Sequence, residues 1–94
     1  MKFAWHPAKA ESNLIKHGVS FDEAQEAFDD DFGVVFPDDV NSEGEARYCL
    51  IGSSQSRLLI VSYTLREDAH SIETICLISA REAESWEKRK YYEL

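Results

Sequence analysis

The spacing of apolar residues along the chain predicts three helices. The first two lie near the start, over about 7–17 and 21–29. The second of them repeats apolar side chains every three or four positions, at Phe21, Ala24, Ala27 and Phe28. The last helix, over about 82–92, has a comparable stripe of Ala83, Trp86, Lys90 and Leu94. A stripe of this kind is typical of a helix that packs one side against a core.

Four strands are predicted between the second and the last helix. Runs rich in Val, Ile, Leu, Tyr and Thr recur there between polar turns, at about 33–37, 46–54, 57–66 and 71–80. The helices are thus segregated from the strands along the chain. This order predicts an α+β fold with two N-terminal helices, a four-stranded antiparallel sheet and a C-terminal helix.

Side-chain alternation separates the two faces of the predicted sheet. In the strand at 57–66, four side chains share one face, at Leu59, Val61, Tyr63 and Leu65. Arg66 points to the opposite face. In the next strand, strict alternation places Leu77, Ser79 and Arg81 together. One face is apolar enough to carry helices, and the other becomes polar toward the strand ends, where Arg66 and Arg81 lie.

Length and composition favour a single small domain over residues 1–94. With 94 residues, of which 44% are apolar, the chain can bury a core. No apolar run approaches the ~20 residues of a membrane helix, and no signal peptide is visible, so we expect a cytoplasmic protein. Cys49 and Cys76 lie within apolar strand patterns. Two cysteines do not make a disulfide framework, so both are expected to be reduced thiols.

The charge of the chain is strongly uneven. Its net value of −8 argues at first against RNA binding, because phosphate contacts require Lys and Arg. Ten acids and no base fall within residues 22–46, which we call the acidic block: Asp22, Glu23, Glu26, Asp29, Asp30, Asp31, Asp38, Asp39, Glu43 and Glu45. The rest of the chain has eight acids and ten bases, so the net charge outside the acidic block is compatible with a basic surface. The acidic block suits a basic partner, and a solvated face without a partner is the alternative.

Residues 5–21, WHPAKAESNLIKHGVSF, combine several helix-terminal signals. Pro7 fits a first helical position, where a missing N–H costs nothing, and Gly18 fits the left-handed position past a helix end. Ser20 and Glu23 form a capping box for the next helix. Between these signals, four polar residues share one helical face: Lys9, Asn13, Lys16 and His17.

This stretch resembles the opening of the BrnT family of small bacterial toxins, whose pattern runs roughly W-D-P-x-K-x-x-x-N-x-x-K-H-G-V-x-F. The resemblance returns near the other end and at points in between, at Arg47, Ile51, Gly52, Ile78-Ser79-Ala80-Arg81, Ala83, Glu87 and Tyr91. It implies a RelE-like fold and a ribonuclease toxin of a type II toxin–antitoxin system that arrests growth. It also implies a DNA-binding antitoxin of the ribbon-helix-helix type, a heterotetrameric complex, and repression of their own promoter through the antitoxin.

RNA can be cleaved without a metal ion when its own 2′-hydroxyl attacks the adjacent phosphate. The protein must then move protons, with a His, Tyr or carboxylate, and stabilise phosphate charge, with Arg or Lys. We predict four catalytic residues, Arg81, Arg66, His17 and Lys16. Three further residues are predicted to bind substrate, Lys9, Arg47 and Tyr63. No cofactor or metal is expected, since the aspartates at 29–31 and 38–39 lack a calcium-loop or zinc spacing.

Structural roles compete with these assignments. His17 can cap the end of the first helix, and Asn13 can bind backbone near the junction of helix and sheet. Arg81 can form a salt bridge with the acidic block instead of binding phosphate. Trp5 and Trp86 lie in amphipathic patterns, which favours positions in the core or at its rim over base stacking.

The sequence departs from the family pattern where charge or capping is concerned. His6 stands where the family usually has Asp, which removes the usual N-cap before the first helix. Cys76 replaces a frequent Arg, and residues 84–86 replace residues that are often basic. These losses favour an alternative class, a non-catalytic interaction protein that acts only within an antitoxin and repressor complex. The retained cations oppose that alternative.

Overall fold

The computed structural model describes residues 1–41 and 44–93. A short strand, β1 (Lys2–Ala4), precedes the helices α1 (Pro7–His17) and α2 (Phe21–Glu26). Four more strands and a helix follow: β2 (Val34–Pro37), β3 (Arg47–Ser53), β4 (Leu58–Glu67), β5 (Glu73–Glu82) and α3 (Ser85–Tyr92). Single 3₁₀ turns lie at Ala27–Asp29 and Asp39–Asn41. Glu43 of the acidic block and Leu94 of the predicted last stripe lie outside the described residues.

The described strands form one mixed sheet in the order β1-β5-β4-β3-β2. The α+β class is confirmed, and the four predicted strands pair with one another in antiparallel orientation. The prediction of a purely antiparallel, four-stranded sheet is wrong, because β1 adds a fifth strand parallel to β5, with Phe3 opposite Ile75. Three residues are too few to show alternation. This strand is defined by its pairing along the edge of β5 rather than by its own pattern.

A β-bulge interrupts the pairing of β4 with β5. Ser62 pairs with Ser79, whereas Tyr63 pairs with Leu77, so that Ile78 is an additional residue on β5. The bulge reverses the alternation after Leu77. Ser79 and Arg81 therefore lie on the face opposite Leu77, and the strict alternation predicted for this strand is wrong at that point.

The signals at the ends of the N-terminal helices are largely confirmed. Pro7 is the first residue of α1, and Gly18 follows its last residue with a left-handed φ of 69°. The side chain of Ser20 caps α2. The expected loss of an N-cap at His6 is wrong, because its Nδ1 accepts a hydrogen bond from the N–H of Ala8 at 3.2 Å. An imidazole in this position replaces a carboxylate as the acceptor.

Helix α3 begins at Ser85 and not near residue 82 as predicted. The difference arises because β5 continues to Glu82, where it still pairs with Leu59 of β4. Ala83 therefore lies before the helix and not in its stripe. The predicted second helix is also shorter, because its last turn, Ala27–Asp29, is a 3₁₀ turn.

Two clusters of buried side chains lie on opposite faces of the sheet. The larger cluster packs α2 and Val19 against the sheet: Val19, Phe21, Ala24, Ala27, Leu50, Leu59, Val61, Tyr63, Ile75, Leu77 and Ala80. The smaller cluster lies near α3: Cys49, Ile51, Leu58, Ile60, Ala83 and Tyr91. Helix α3 covers only one end of its face. The remainder, around Ser62 and Arg66, borders cavities that open to solvent.

The buried amide of Asn13 joins α1 to the edge of β5. Its Oδ1 accepts from the N–H of Ala80 at 3.0 Å, and its Nδ2 donates to the carbonyl of Ala80 at 2.8 Å. The same Nδ2 donates to the carbonyl of Val19 at 2.9 Å. The pairing of β1 with β5 ends at Ala4, so the Asn13 side chain satisfies strand groups that lie beyond it. The predicted backbone-binding role of Asn13 is confirmed.

Close packing also explains Gly52 in β3. A Cβ at this position would lie 2.5 Å from the carbonyl oxygen of Ala27, which is closer than real Cβ atoms approach backbone. Glycine thus allows the 3₁₀ turn after α2 to lie directly on β3.

Candidate active site

Three adjoining cavities run along the open part of the sheet face, and we call the row the open-face groove. The cationic cavity, of about 540 Å³, is bordered by Arg47 and Arg66. The Arg81 cavity, of about 350 Å³, lies at the start of α3. A joining cleft of about 210 Å³ shares Lys9 with the first and His17 with the second. The groove thus extends from β3 and β4, past α1, to α3.

Arg81 is held by a buried carboxylate. Its Nη1 donates to Oε1 of Glu87 at 2.8 Å, and its Nη2 donates to Oε2 at 2.9 Å. Glu87 is fully buried, whereas the Arg81 side chain is 34% exposed. These hydrogen bonds raise the pKa of Arg81, so its guanidinium remains cationic. The alternative prediction was a salt bridge from Arg81 to the acidic block. Arg81 does form a salt bridge, but its partner Glu87 lies on α3 and not in that block.

The carboxylate of Glu87 has a second function at the start of α3. Its Oε1 also accepts from the N–H of Glu84 at 2.7 Å, which forms a capping box with the Glu84 side chain. One carboxylate therefore caps the helix and orients the guanidinium of Arg81. A bidentate pair fixes that guanidinium in a plane, so it faces the Arg81 cavity in a defined orientation.

His17 lies where α1 comes closest to this cavity. It is the last residue of the helix and is half-buried, and it borders both the joining cleft and the Arg81 cavity. Among the described residues no hydrogen bond to its imidazole is found. Lys16 precedes it and lines the joining cleft. An imidazole and a guanidinium that border one cavity can move a proton and bind a phosphate oxygen, respectively.

The cationic cavity contains Lys9, Arg47 and Arg66. Arg66 donates from Nε and Nη2 to the carboxylate of Glu45, at 3.1 and 3.2 Å, and this pair raises the pKa of Arg66. Both side chains of the pair are largely exposed. Exposed ion pairs contribute little free energy, so a phosphate can replace Glu45 at small cost.

Tyr63 is separated from the other predicted site residues. It is buried in the larger cluster, between Phe28 at 5.1 Å and Tyr48 at 5.8 Å between ring centroids. Burial raises the pKa of its hydroxyl. The structure brings six predicted residues to the open-face groove, Arg81, Arg66, His17, Lys16, Lys9 and Arg47, and Tyr63 lies on the other face of the sheet.

Several residues of the Arg81 cavity were not predicted from the sequence. Phe36 and Trp86 form one wall, and the hydroxyl-bearing Ser62 and Ser79 line the strands. Glu87 was noted only as part of the family resemblance, and its spacing from Arg81 gave no sign of pairing. Trp86 is 46% exposed beside Phe36, which is compatible with the position at the core rim that its predicted stripe favoured.

A hydrogen bond between Tyr91 and Asp30 fastens the end of α3. The phenol donates to Oδ2 of Asp30 at 2.6 Å, and the N–H groups of Ser53 and Phe32 donate to the same carboxylate. Burial opposes ionisation of Asp30, but these three donors hold its pKa below the ordinary value. The bond to Asp30 raises the pKa of Tyr91 to about 12.

The variant Tyr91→Phe is expected to unfold about 1 kcal/mol more easily near pH 7, because it loses a hydrogen bond to a carboxylate. The lowered pKa of Asp30 contributes stability above pH ~4, which is lost as the pH falls through the folded value. The raised pKa of Tyr91 contributes stability below pH ~10, which is lost toward pH 12. Urea unfolding should therefore show the largest difference between about pH 5 and 9. A difference that stays constant from pH 3 to 11 would contradict the coupling.

Two further properties concern the residues that the structure describes. Over 1–41 and 44–93, no three His, Cys, Asp or Glu side chains are grouped so that they could hold a metal ion. Within the same ranges, no helix is long and apolar enough to cross a membrane.

The fold and the groove define a class, a small α+β protein with several cationic side chains along an open sheet face. Residues 5–87 match the family model described as ribonuclease toxin, BrnT, of type II toxin-antitoxin system. The chain therefore belongs to the BrnT family of ribonuclease toxins. A type II system implies a protein antitoxin as partner. No curated protein matches the chain.

Proposed function

We propose that this protein is a metal-independent endoribonuclease that arrests growth by cleaving RNA at the Arg81 cavity. One observation carries the proposal: His17 and Arg81 border one cavity at the end of a groove that also contains Lys9, Lys16 and Arg66. A polyanion in this groove meets cations along its length. Beside the guanidinium that the buried carboxylate of Glu87 holds, it meets the imidazole of His17, which can transfer a proton.

In the proposed reaction the 2′-oxygen of the RNA forms a bond to phosphorus as the bond from phosphorus to the 5′-oxygen breaks. His17 takes the proton of the 2′-hydroxyl, and Lys16 supplies a proton to the leaving 5′-oxygen. Arg81 donates to the non-bridging oxygens as charge develops on them. The products are a 2′,3′-cyclic phosphate and a free 5′-hydroxyl. Lys9, Arg47 and Arg66 hold the flanking phosphates.

The antitoxin belongs to the same proposal. We infer a ribbon-helix-helix protein that covers the open-face groove or its rim in a heterotetramer. It binds operator DNA, so the complex represses its own promoter through the antitoxin and not through direct DNA contacts by this chain. Its basic surface would complement the acidic block, much of which borders β2 and α2.

His17→Asn provides the cleanest test of the mechanism. The change is expected to slow RNA cleavage by about 10²-fold or more, because proton transfer is lost. It should alter the free energy of unfolding by less than ~0.5 kcal/mol, because the imidazole has no buried partner to leave unpaired. The measurement is single-turnover cleavage of a defined RNA in excess EDTA, with end analysis of the fragments.

Three outcomes of that experiment contradict the proposal. The first is wild-type cleavage that EDTA abolishes, and the second is fragments with 5′-phosphate ends. The third is an unchanged rate in folded His17→Asn. Ile15→Ala, a change at an exposed position on α1 that lines none of the three cavities, serves as the matched control and should cleave at the wild-type rate.

The second candidate function is a non-catalytic interaction protein within an antitoxin and repressor complex. Two observations favour it. The uncharged Cys76 lines the cationic cavity, and Glu45 already neutralises Arg66 there. Induction of this chain alone in a bacterial host separates the candidates: growth arrest with RNA decay supports the ribonuclease, and normal growth with folded protein supports the interaction protein.

A further inference from the structure

We propose that the Arg81 cavity also holds one unpaired nucleobase of the RNA, packed against an aromatic wall formed by Phe36 and Trp86. The inference rests on the proposed function in that RNA is the substrate. It adds a base-binding subsite to a groove whose other contacts are to phosphates.

The aromatic wall is the main observation. Trp86 is the second residue of α3 and is 46% exposed, and Phe36 of β2 is half-buried beside it. Their ring centroids lie 6.4 Å apart with planes inclined by 59°. A flat base between two parallel rings needs a separation of at least about 7 Å. The base therefore does not fit between the two rings and stacks on the half-exposed indole of Trp86, with Phe36 as a side wall.

A cation lies over the ring of Phe36. Nζ of Lys90 lies 4.4 Å from the centroid of the Phe36 ring. This cation–π contact fixes the ring and adds a positive charge next to the cavity. The wall is thus a supported surface at one cavity and not an isolated exposed aromatic residue.

Polar groups border the same cavity where the edge of a base would lie. Ser62 and Ser79 face each other across β4 and β5, and Asp38 follows β2. Hydroxyls both donate and accept hydrogen bonds, and a carboxylate accepts from the N–H groups of a base. An apolar wall with a few converging polar groups, in a volume of about 350 Å³, is typical of a small-ligand site.

The position of Arg81 in this cavity connects the subsite to the reaction. A base stacked on Trp86 would place its own phosphate near the guanidinium that Glu87 orients. Stacking would then fix the nucleotide at the scissile bond rather than at a distant one. A single stacked base accounts for about 1–3 kcal/mol of binding, which corresponds to about 5- to 150-fold in affinity.

Fluorescence of Trp86 can test the subsite without cleavage. The chain has two tryptophans, so a Trp5→Phe background leaves Trp86 as the single tryptophan. The probes are a 2′-O-methyl RNA octamer, which cannot cleave itself, and an octamer of the same backbone without bases. We expect the first to quench Trp86 and the second to bind without quenching.

Variants at position 86 distinguish stacking from simple apolar contact. Trp86→Ala and Trp86→Leu should bind the base-bearing octamer about 5- to 150-fold more weakly than wild type, and Trp86→Phe should recover much of the affinity. Binding of the octamer without bases should be the same for all variants. Equal binding of both octamers, or no effect of Trp86→Ala, would overturn the subsite. If Trp86→Ala lost only antitoxin binding, the aromatic wall would belong to the interface with the protein partner, and the base-binding subsite would also be overturned.

The two proposals fail in different ways. Base-dependent quenching by a protein that cleaves no RNA would refute the ribonuclease mechanism and keep the subsite. Cleavage without base-dependent quenching would refute the subsite and keep the mechanism. Absence of octamer binding by wild-type protein would contradict both.

Discussion

Arg81→Ala is expected to lower RNA cleavage by about 10²- to 10³-fold and to destabilise the fold by about 3–5 kcal/mol. The first effect follows from the loss of the cation that we propose binds the phosphate. The second follows because Glu87 is fully buried and would lose both of its hydrogen bonds to the guanidinium. Single-turnover cleavage and denaturant unfolding measure the two effects separately.

Loss of activity in this variant alone would not identify a catalytic role, since a partly unfolded protein is also inactive. The double variant Arg81→Met with Glu87→Met removes both charges and keeps apolar volume in their place. It should regain most of the stability, except for about 1 kcal/mol of helix capping, and remain inactive. Wild-type cleavage by the double variant would exclude Arg81 from the reaction. If Arg81→Ala lowered the free energy of unfolding by less than about 1 kcal/mol, the stabilising role of the bond between Arg81 and the buried Glu87 would be contradicted.

Asn13→Ala should be the most destabilising change on α1, at about 3 kcal/mol or more. The variant leaves the N–H and carbonyl of Ala80 and the carbonyl of Val19 without their partner in a buried position. Each such group costs about 1–3 kcal/mol. Urea unfolding measures the total, and amide hydrogen exchange at Ala80 reports the local loss.

Two controls define the origin of that loss. Ser12→Ala, at the exposed neighbouring position, should stay within ~0.5 kcal/mol of wild type. Asn13→Asp keeps the size of the side chain and one acceptor but cannot donate to the two carbonyls, so it should be at least as unstable as Asn13→Ala. Full stability of Asn13→Asp would show that the acceptor alone suffices.

The parts of the fold that follow from local signals were predictable. The bounds of α1 follow from Pro7 and Gly18, which act through their own backbone preferences. Strand β1 and the bulge at Ile78 depend on what lies across the sheet, and no periodicity within a single segment contains that information. The start of α3 was misplaced for the same reason, because pairing with β4 extends β5 to Glu82.

The candidate site was predictable where polar residues interrupt apolar strands or share a helical face. Arg66 and Arg81 were placed on the polar face from strand position, and Lys9, Lys16 and His17 from helical spacing. The pairing of Arg81 with Glu87 could not be predicted in this way, because it depends on how α3 packs against the end of the sheet. The prediction of Tyr63 as a substrate-binding residue rests on the chemistry of its hydroxyl. Strand alternation places Tyr63 on the same face as Leu59 and Val61, and it is buried with them.

The shared carboxylate of Glu87 limits the mutational routes open to this sequence. A substitution at Arg81 leaves the buried charge of Glu87 unpaired inside the fold, so a descendant that loses this cation before Glu87 passes through an unstable intermediate. The exposed pair of Arg66 and Glu45 carries no such barrier, so the cationic cavity can lose charge at Arg66 in a single step. Attenuation of the toxin by drift would therefore begin at the rim of the groove and leave Arg81 in place.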